Sequence, residues 1–95
     1  MLLALVLSVT SVMSVIGTCF HCHCVPSSAG SVWVCTEHSG HRHVTIIDGN
    51  GNPNQVEIPN SSTASYTAGN VTVGPKPGET WGSVSGCADL NLNCN

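Results

Sequence analysis

Ser31-Val32-Trp33-Val34-Cys35-Thr36-Glu37 is β-branched and aromatic, and its side chains alternate with a period of two. That pattern is a strand rather than a helix, because successive side chains on an extended chain point to opposite faces. Trp33 and Cys35 share one face, and Val32 and Val34 share the other. If Cys35 is bridged in the core, Trp33 is expected to pack beside it.

Working toward the C-terminus, His38-Ser39-Gly40 forms a short turn and His41 to Asp48 a second strand. Val44 and Ile46 lie on one face of it, and His41, His43, Thr45 and Ile47 on the other. Asp48-Gly49-Asn50-Gly51-Asn52-Pro53-Asn54 is dense in turn formers, and Gln55 to Ile58 is the returning strand. Thr63 to Thr67 and Val71 to Val73 read as a further hairpin turning at Ala68-Gly69-Asn70. A last short strand is expected near Thr80 to Val84, and the tail from Gly86 to Asn95 is a tight loop or one helical turn. After the leader, no window of a dozen residues has helical periodicity. The fold class predicted is all-β: a small disulfide-stabilised antiparallel sandwich or barrel of about five to six short strands.

Toward the N-terminus, Val25-Pro26-Ser27-Ser28-Ala29-Gly30 is a loop, and before it stands Cys19-Phe20-His21-Cys22-His23-Cys24. This cluster holds half of the chain's six cysteines and two of its five histidines. It follows an uncharged run, Met1 to Ile16, rich in Leu and Val and closed by Gly17. That run predicts a secretory signal peptide over residues 1–17, with Val15 and Gly17 at the −3 and −1 positions. Ser8, Thr10, Ser11 and Ser14 interrupt it, and a membrane-spanning helix needs about 20 apolar residues. Residues 18–95 then make a single domain, too small to be held firmly by its core alone.

Six cysteines in such a chain predict an oxidising, extracellular setting and a disulfide framework. Cys22 and Cys24 are too close in sequence to bridge without strain, and Cys19-x-x-Cys22 lacks the following helix of a redox motif. If no bridge forms within the cluster, Cys19, Cys22 and Cys24 take Cys35, Cys87 and Cys94 as partners. The roughly 15 pairings open to six cysteines fall to about 6.

Metal chemistry is the competing reading. Cys19-x-x-Cys22 followed by His38-x-x-His41 or His41-x-His43 has a finger-like spacing, but no helical element follows and oxidation removes the thiolates. A histidine-only site survives oxidation: His21 and His23 share a strand face, as do His41 and His43, with His38 in the turn. Imidazoles suit Cu(II) or Zn(II). The plain alternative is solvent-facing polar residues on a half-buried strand.

Charge is sparse. Arg42 and Lys76 face five carboxylates, for a formal net charge of −3. No basic stripe exists for nucleic acid and no cationic amphipathic helix for membranes. Ser, His and Asp occur without a nucleophile motif, and the carboxylates are scattered, so no enzymatic activity is predicted. Asn60-Ser61-Ser62 and Asn70-Val71-Thr72 match the N-glycosylation acceptor. Trp81, among glycines, is the candidate exposed platform for stacking on a sugar ring.

The frame of leader, early C-x-x-C-x-C cluster, charge-poor body and terminal cysteines resembles the small secreted cysteine-rich proteins of filamentous fungi. Cys19, Cys22, Cys24, Cys35, Cys87 and Cys94 carry that resemblance. It implies an effector-like protein acting at a host interface. The leading expectation is a secreted binding domain whose partner is an extracellular protein. The alternatives are an extracellular Cu/Zn-binding protein using the histidines and a wall-polysaccharide binder using Trp81.

Overall fold

The computed structural model describes residues 18–37 and 39–95. Seven strands form: β1 (Cys19–His23), β2 (Gly30–Thr36), β3 (His41–Asp48), β4 (Pro53–Pro59), β5 (Tyr66–Ala68), β6 (Val71–Pro75) and β7 (Leu90–Cys94). They make two antiparallel sheets, one ordered β1-β2-β3-β4 and the other β5-β6-β7. The all-β expectation is met as a sandwich-like pair of sheets, not a closed barrel. The leader expected over residues 1–17 lies outside the described residues, as does His38.

Pairing follows the hydrophobic alternation. Val34 of β2 stands between Phe20 of β1 and Val44 of β3, and Val32 between Cys22 and Ile46. These inward positions join Ile58, Val71, Val73, Trp81, Val84 and Leu90 in one core. A one-residue slip would turn the whole valine set to solvent, so burial of one face pins the register. At Gly30 the sheets come together so closely that an added Cβ would lie 2.5 Å from both the Ile47 carbonyl oxygen and a Val71 methyl group. Only glycine fits there, and its φ of +135° also suits glycine.

The β3–β4 connection is built by Asp48. Its carboxylate accepts the backbone N–H groups of Asn50 and Asn52, each at 2.9 Å, across a turn in which Gly51 adopts a φ of +84°. Those hydrogen bonds, Asn52's first, hold the Asp48 carboxyl below its ordinary pKa.

Three predicted elements come out differently. The strand expected over Thr80–Val84 is a single 3₁₀ turn, Trp81–Ser83. Ser83 Oγ accepts from the Thr80 N–H and donates to the Thr80 carbonyl, so the serine offers the backbone a local partner in place of a ladder. The tail does more than loop: after a 3₁₀ turn at Cys87–Asp89 it becomes β7 and pairs with β6. The strand expected from Thr63 begins only at Tyr66, because the Ala64 N–H is taken by Ser62 Oγ.

All six cysteines are bridged, and all three pairs join a cluster cysteine to one outside it: Cys19–Cys35, Cys22–Cys87 and Cys24–Cys94. Cys19–Cys35 links neighbouring strands of the first sheet. The other two tie β1 and the residue just beyond it to the 3₁₀ turn before β7 and to β7 itself, stapling one side of the sandwich. On the other side β4 leans away. Its inward-pointing residues pass from buried Ile58 to half-buried Val56 to exposed Asn54. A groove of about 280 Å³ opens there, lined by Ile46, Asn54, Gln55, Val56, Tyr66, Thr67 and Ala68.

Candidate functional site on the outer face of the four-stranded sheet

The outward positions of the first sheet form cross-strand rows. His21, Trp33, Thr45 and Gln55 are in register across β1 to β4. On one side of this row stand Cys19, Cys35, His43 and Glu57, and on the other His23, Ser31, Ile47 and Pro53. The odd-numbered alternation of β1, β2 and β3 therefore collects His21, His23, His41, His43 and Trp33 on a single face.

Trp33 is 42% exposed, which corrects the expectation that it lies in the core beside Cys35. Alternation separates two faces but does not say which is inside. The Cys19–Cys35 bridge turned out to lie on the outer face, and Trp33 goes with it. Val32 and Val34, both fully buried, supply the core side.

His21 stacks on Trp33 with ring centroids 4.4 Å apart and planes 7° from parallel. His23 meets His21 edge-on, at 4.2 Å and 64°. The Nε2 atom of His21 is buried without a hydrogen-bond partner among the described residues. Burial first, and the neighbouring His23 second, push the His21 pKa below that of an ordinary histidine.

The other histidine pair lies two strands away. His41 Nδ1 is 3.1 Å from the Ser39 carbonyl, which accepts from it, and His43 Nδ1 is 3.7 Å from Glu37 Oε1. Two strand spacings, about 9.6 Å, separate β1 from β3, with Trp33 and the Cys19–Cys35 bridge between them. The sheet thus presents two histidine pairs rather than one cluster. Among the described residues no group of three or more His, Cys, Asp or Glu is placed to hold a metal ion. The three disulfides engage all six cysteines, so a finger-like Cys/His site would have no thiolate to use. His38 lies outside the described residues.

Trp81 is also corrected. It is fully buried, and its indole Nε1–H donates to the Ala64 carbonyl at 2.8 Å. Tyr66 packs at a tilt with ring centroids 6.4 Å away. Trp81 is a core residue and offers no platform. The two tryptophans have exchanged the roles expected of them.

The candidate glycan acceptors differ in setting. Asn70 is committed to the fold: its Oδ1 accepts the Gly49 N–H at 3.1 Å and its Nδ2 donates to the Asn95 carbonyl at 2.6 Å. Asn60 packs against Gly82, and its N–H donates to the Gly40 carbonyl. Its Oδ1 is buried without a partner among the described residues.

Arg42 occupies an inward position of β3, with a guanidinium nitrogen 3.3 Å from the Gly82 carbonyl. It is buried, so the outer face loses the one cation that β3 carries. Among the described residues no helix is long and apolar enough to cross a membrane. Comparison with known protein families, curated proteins and solved structures finds no match for this chain.

Proposed function

We propose that this chain is a secreted, non-enzymatic binding domain that engages an extracellular protein, in an effector-like manner, through the outer face of its four-stranded sheet. The observation that carries the reading is Trp33. It is a large aromatic left 42% exposed in mid-sheet; among the described residues the other large apolar side chain left exposed, Val25, lies in the loop between β1 and β2. A partly exposed aromatic within a polar rim is the usual anatomy of a binding hot spot. Three bridges in a small domain support an extracellular working place, where thiols are oxidised.

The test compares what wild-type protein and Trp33→Ala capture from the secreted proteins of the native setting. A partner captured by the wild type and lost with Trp33→Ala supports the reading, provided the variant keeps its three bridges and its unfolding midpoint. A partner captured equally by both overturns this face as the binding surface.

A further inference from the structure

The four described histidines all belong to one face, and the charges around them are few. β1 brings His21 and His23, and β3 brings His41 and His43. β2 contributes no titratable group between them, since Cys35 is bridged and Trp33 is neutral; Glu37 stands just beyond its end. β4 contributes Glu57, directly opposite His43. The described cations lie elsewhere: Arg42 faces inward to Gly82, and Lys76 lies just beyond β6 in the other sheet. Among the described residues, with neutral imidazoles, the face therefore carries two carboxylates and no cationic side chain. With all four imidazoles protonated its net charge changes sign.

We propose that this face is an acid-switched docking surface for an acidic segment of a partner protein, repelling it near neutral pH and attracting it in a weakly acidic medium. The proposal rests on the assignment of the face as the binding surface. Histidine is the side chain whose charge changes over that interval. An acidic polysaccharide would offer similar carboxylates, but it would use the indole as a flat platform. His21 already covers one indole face at 4.4 Å. With that face taken, less of the indole is open to a stacked sugar, and the groups around it are polar and titratable, which suits an acidic protein segment better. His21, held below an ordinary histidine by burial and by His23, extends the response toward lower pH.

The experiment uses immobilised poly-aspartate as the acidic peptide probe and immobilised polygalacturonate as the acidic polysaccharide, at about pH 5.5 and about pH 7.5. Wild type is expected to be retained on poly-aspartate about tenfold more tightly at the lower pH, with the gain suppressed by salt. The variant carrying His21→Gln, His23→Gln, His41→Gln and His43→Gln should lose that difference. If it fails to form its bridges, the two pairwise variants, His21→Gln/His23→Gln and His41→Gln/His43→Gln, should each lose part of it. Trp33→Ala should weaken retention at both pH values. Retention insensitive to pH, or an undiminished pH ratio in the glutamine variants, overturns the switch. Stronger retention on polygalacturonate overturns the choice of partner class. Failure of the underlying assignment looks different: Trp33→Ala would leave retention untouched at both pH values.

Discussion

The imidazole of His21 lies flat against the indole of Trp33, 4.4 Å away, although both rings stand on the side of the sheet that faces away from the core. The contact joins neighbouring strands, β1 and β2, at a register position where an aromatic faces a histidine. Cross-strand pairs of this kind contribute roughly 0.2–1 kcal/mol, so the stack orders the surface more than it holds the fold. Trp33→Ala is expected to lower stability by no more than about 1 kcal/mol while removing partner capture. Urea unfolding of the purified variant checks the first part. A loss of several kcal/mol would mean that Trp33 is structural after all.

The same pair makes stability depend on pH. His21 is held below an ordinary histidine, so the unfolded chain takes up its proton before the folded chain does. Stability is then unaffected by this group above about 6.5, declines as pH falls below it, and levels off once pH has passed the folded value. His21→Gln should flatten the decline between about pH 7 and pH 5, and His23→Gln should flatten it in part, because His23 is the second cause. Urea midpoints measured across that interval decide it. A steeper decline in His21→Gln would reverse the assigned sign.

The disulfides are unequal. Cys19–Cys35 closes a separation of 16 residues, whereas Cys22–Cys87 and Cys24–Cys94 close 65 and 70. Loop entropy assigns about 3 kcal/mol to the first and about 4 kcal/mol to each of the others. The geometry widens that gap, since only the long-range bridges staple β1 to the second sheet's side of the molecule. Replacing Cys19 and Cys35 by Ser should leave a folded domain with a reduced melting temperature. Replacing Cys22 with Cys87, or Cys24 with Cys94, should cost more and expose the core to dye binding. Equal midpoints for the three double variants would remove the distinction.

Much of this architecture was legible in the residues. The run from His41 to Asp48 reads as a strand with matching ends, and its alternation assigns Val44 and Ile46 to one side correctly. Eliminating bridges within the Cys19–Cys24 cluster left few pairings, and the observed set is among them. What alternation does not encode is the direction of the inside. The reading of Trp33 leaned on Cys35 being in the core, yet a bridge between two adjacent strands is just as easily made on an outer face. Trp81 was misplaced for a different reason. Gly82 and Ser83 favour a local turn, and that turn swings the indole inward to a carbonyl that belongs to a loop 17 residues earlier. Such a partner is invisible to any local pattern. The gathering of four histidines on one face depended on register between β1, β2 and β3, although the period-two spacing within each pair already hinted at it.

Burial of Trp81 carries its own prediction. Trp81→Ala should cost about 3–5 kcal/mol, the usual range for emptying a large aromatic site, a large part of the stability of an ordinary small domain. Trp81→Phe should cost less, keeping much of the volume while leaving the Ala64 carbonyl without its donor. Thermal unfolding of both variants checks the order. A stable Trp81→Ala protein would contradict its place in the core.

The sequon and the structural role of Asn70 make separable demands. Its carboxamide bridges three parts of the chain: Gly49 in the β3–β4 turn, its own position after Gly69 in the β5–β6 turn, and Asn95 beyond β7. Asn70→Gln and Thr72→Val both erase the acceptor motif. Only Asn70→Gln displaces the carboxamide. Thr72→Val instead removes a hydroxyl that shares a 2.8 Å hydrogen bond with Thr67 on the neighbouring strand, and keeps a side chain suited to the ladder. In protein from a host that adds no glycan, Asn70→Gln should be destabilised by about 1 kcal/mol and Thr72→Val by less. Amide exchange should also quicken at Gly49 in the first variant alone, since that N–H loses its acceptor. Identical midpoints and unchanged Gly49 exchange would show that the bridge contributes nothing, and Asn70 would then be free to serve as an acceptor only.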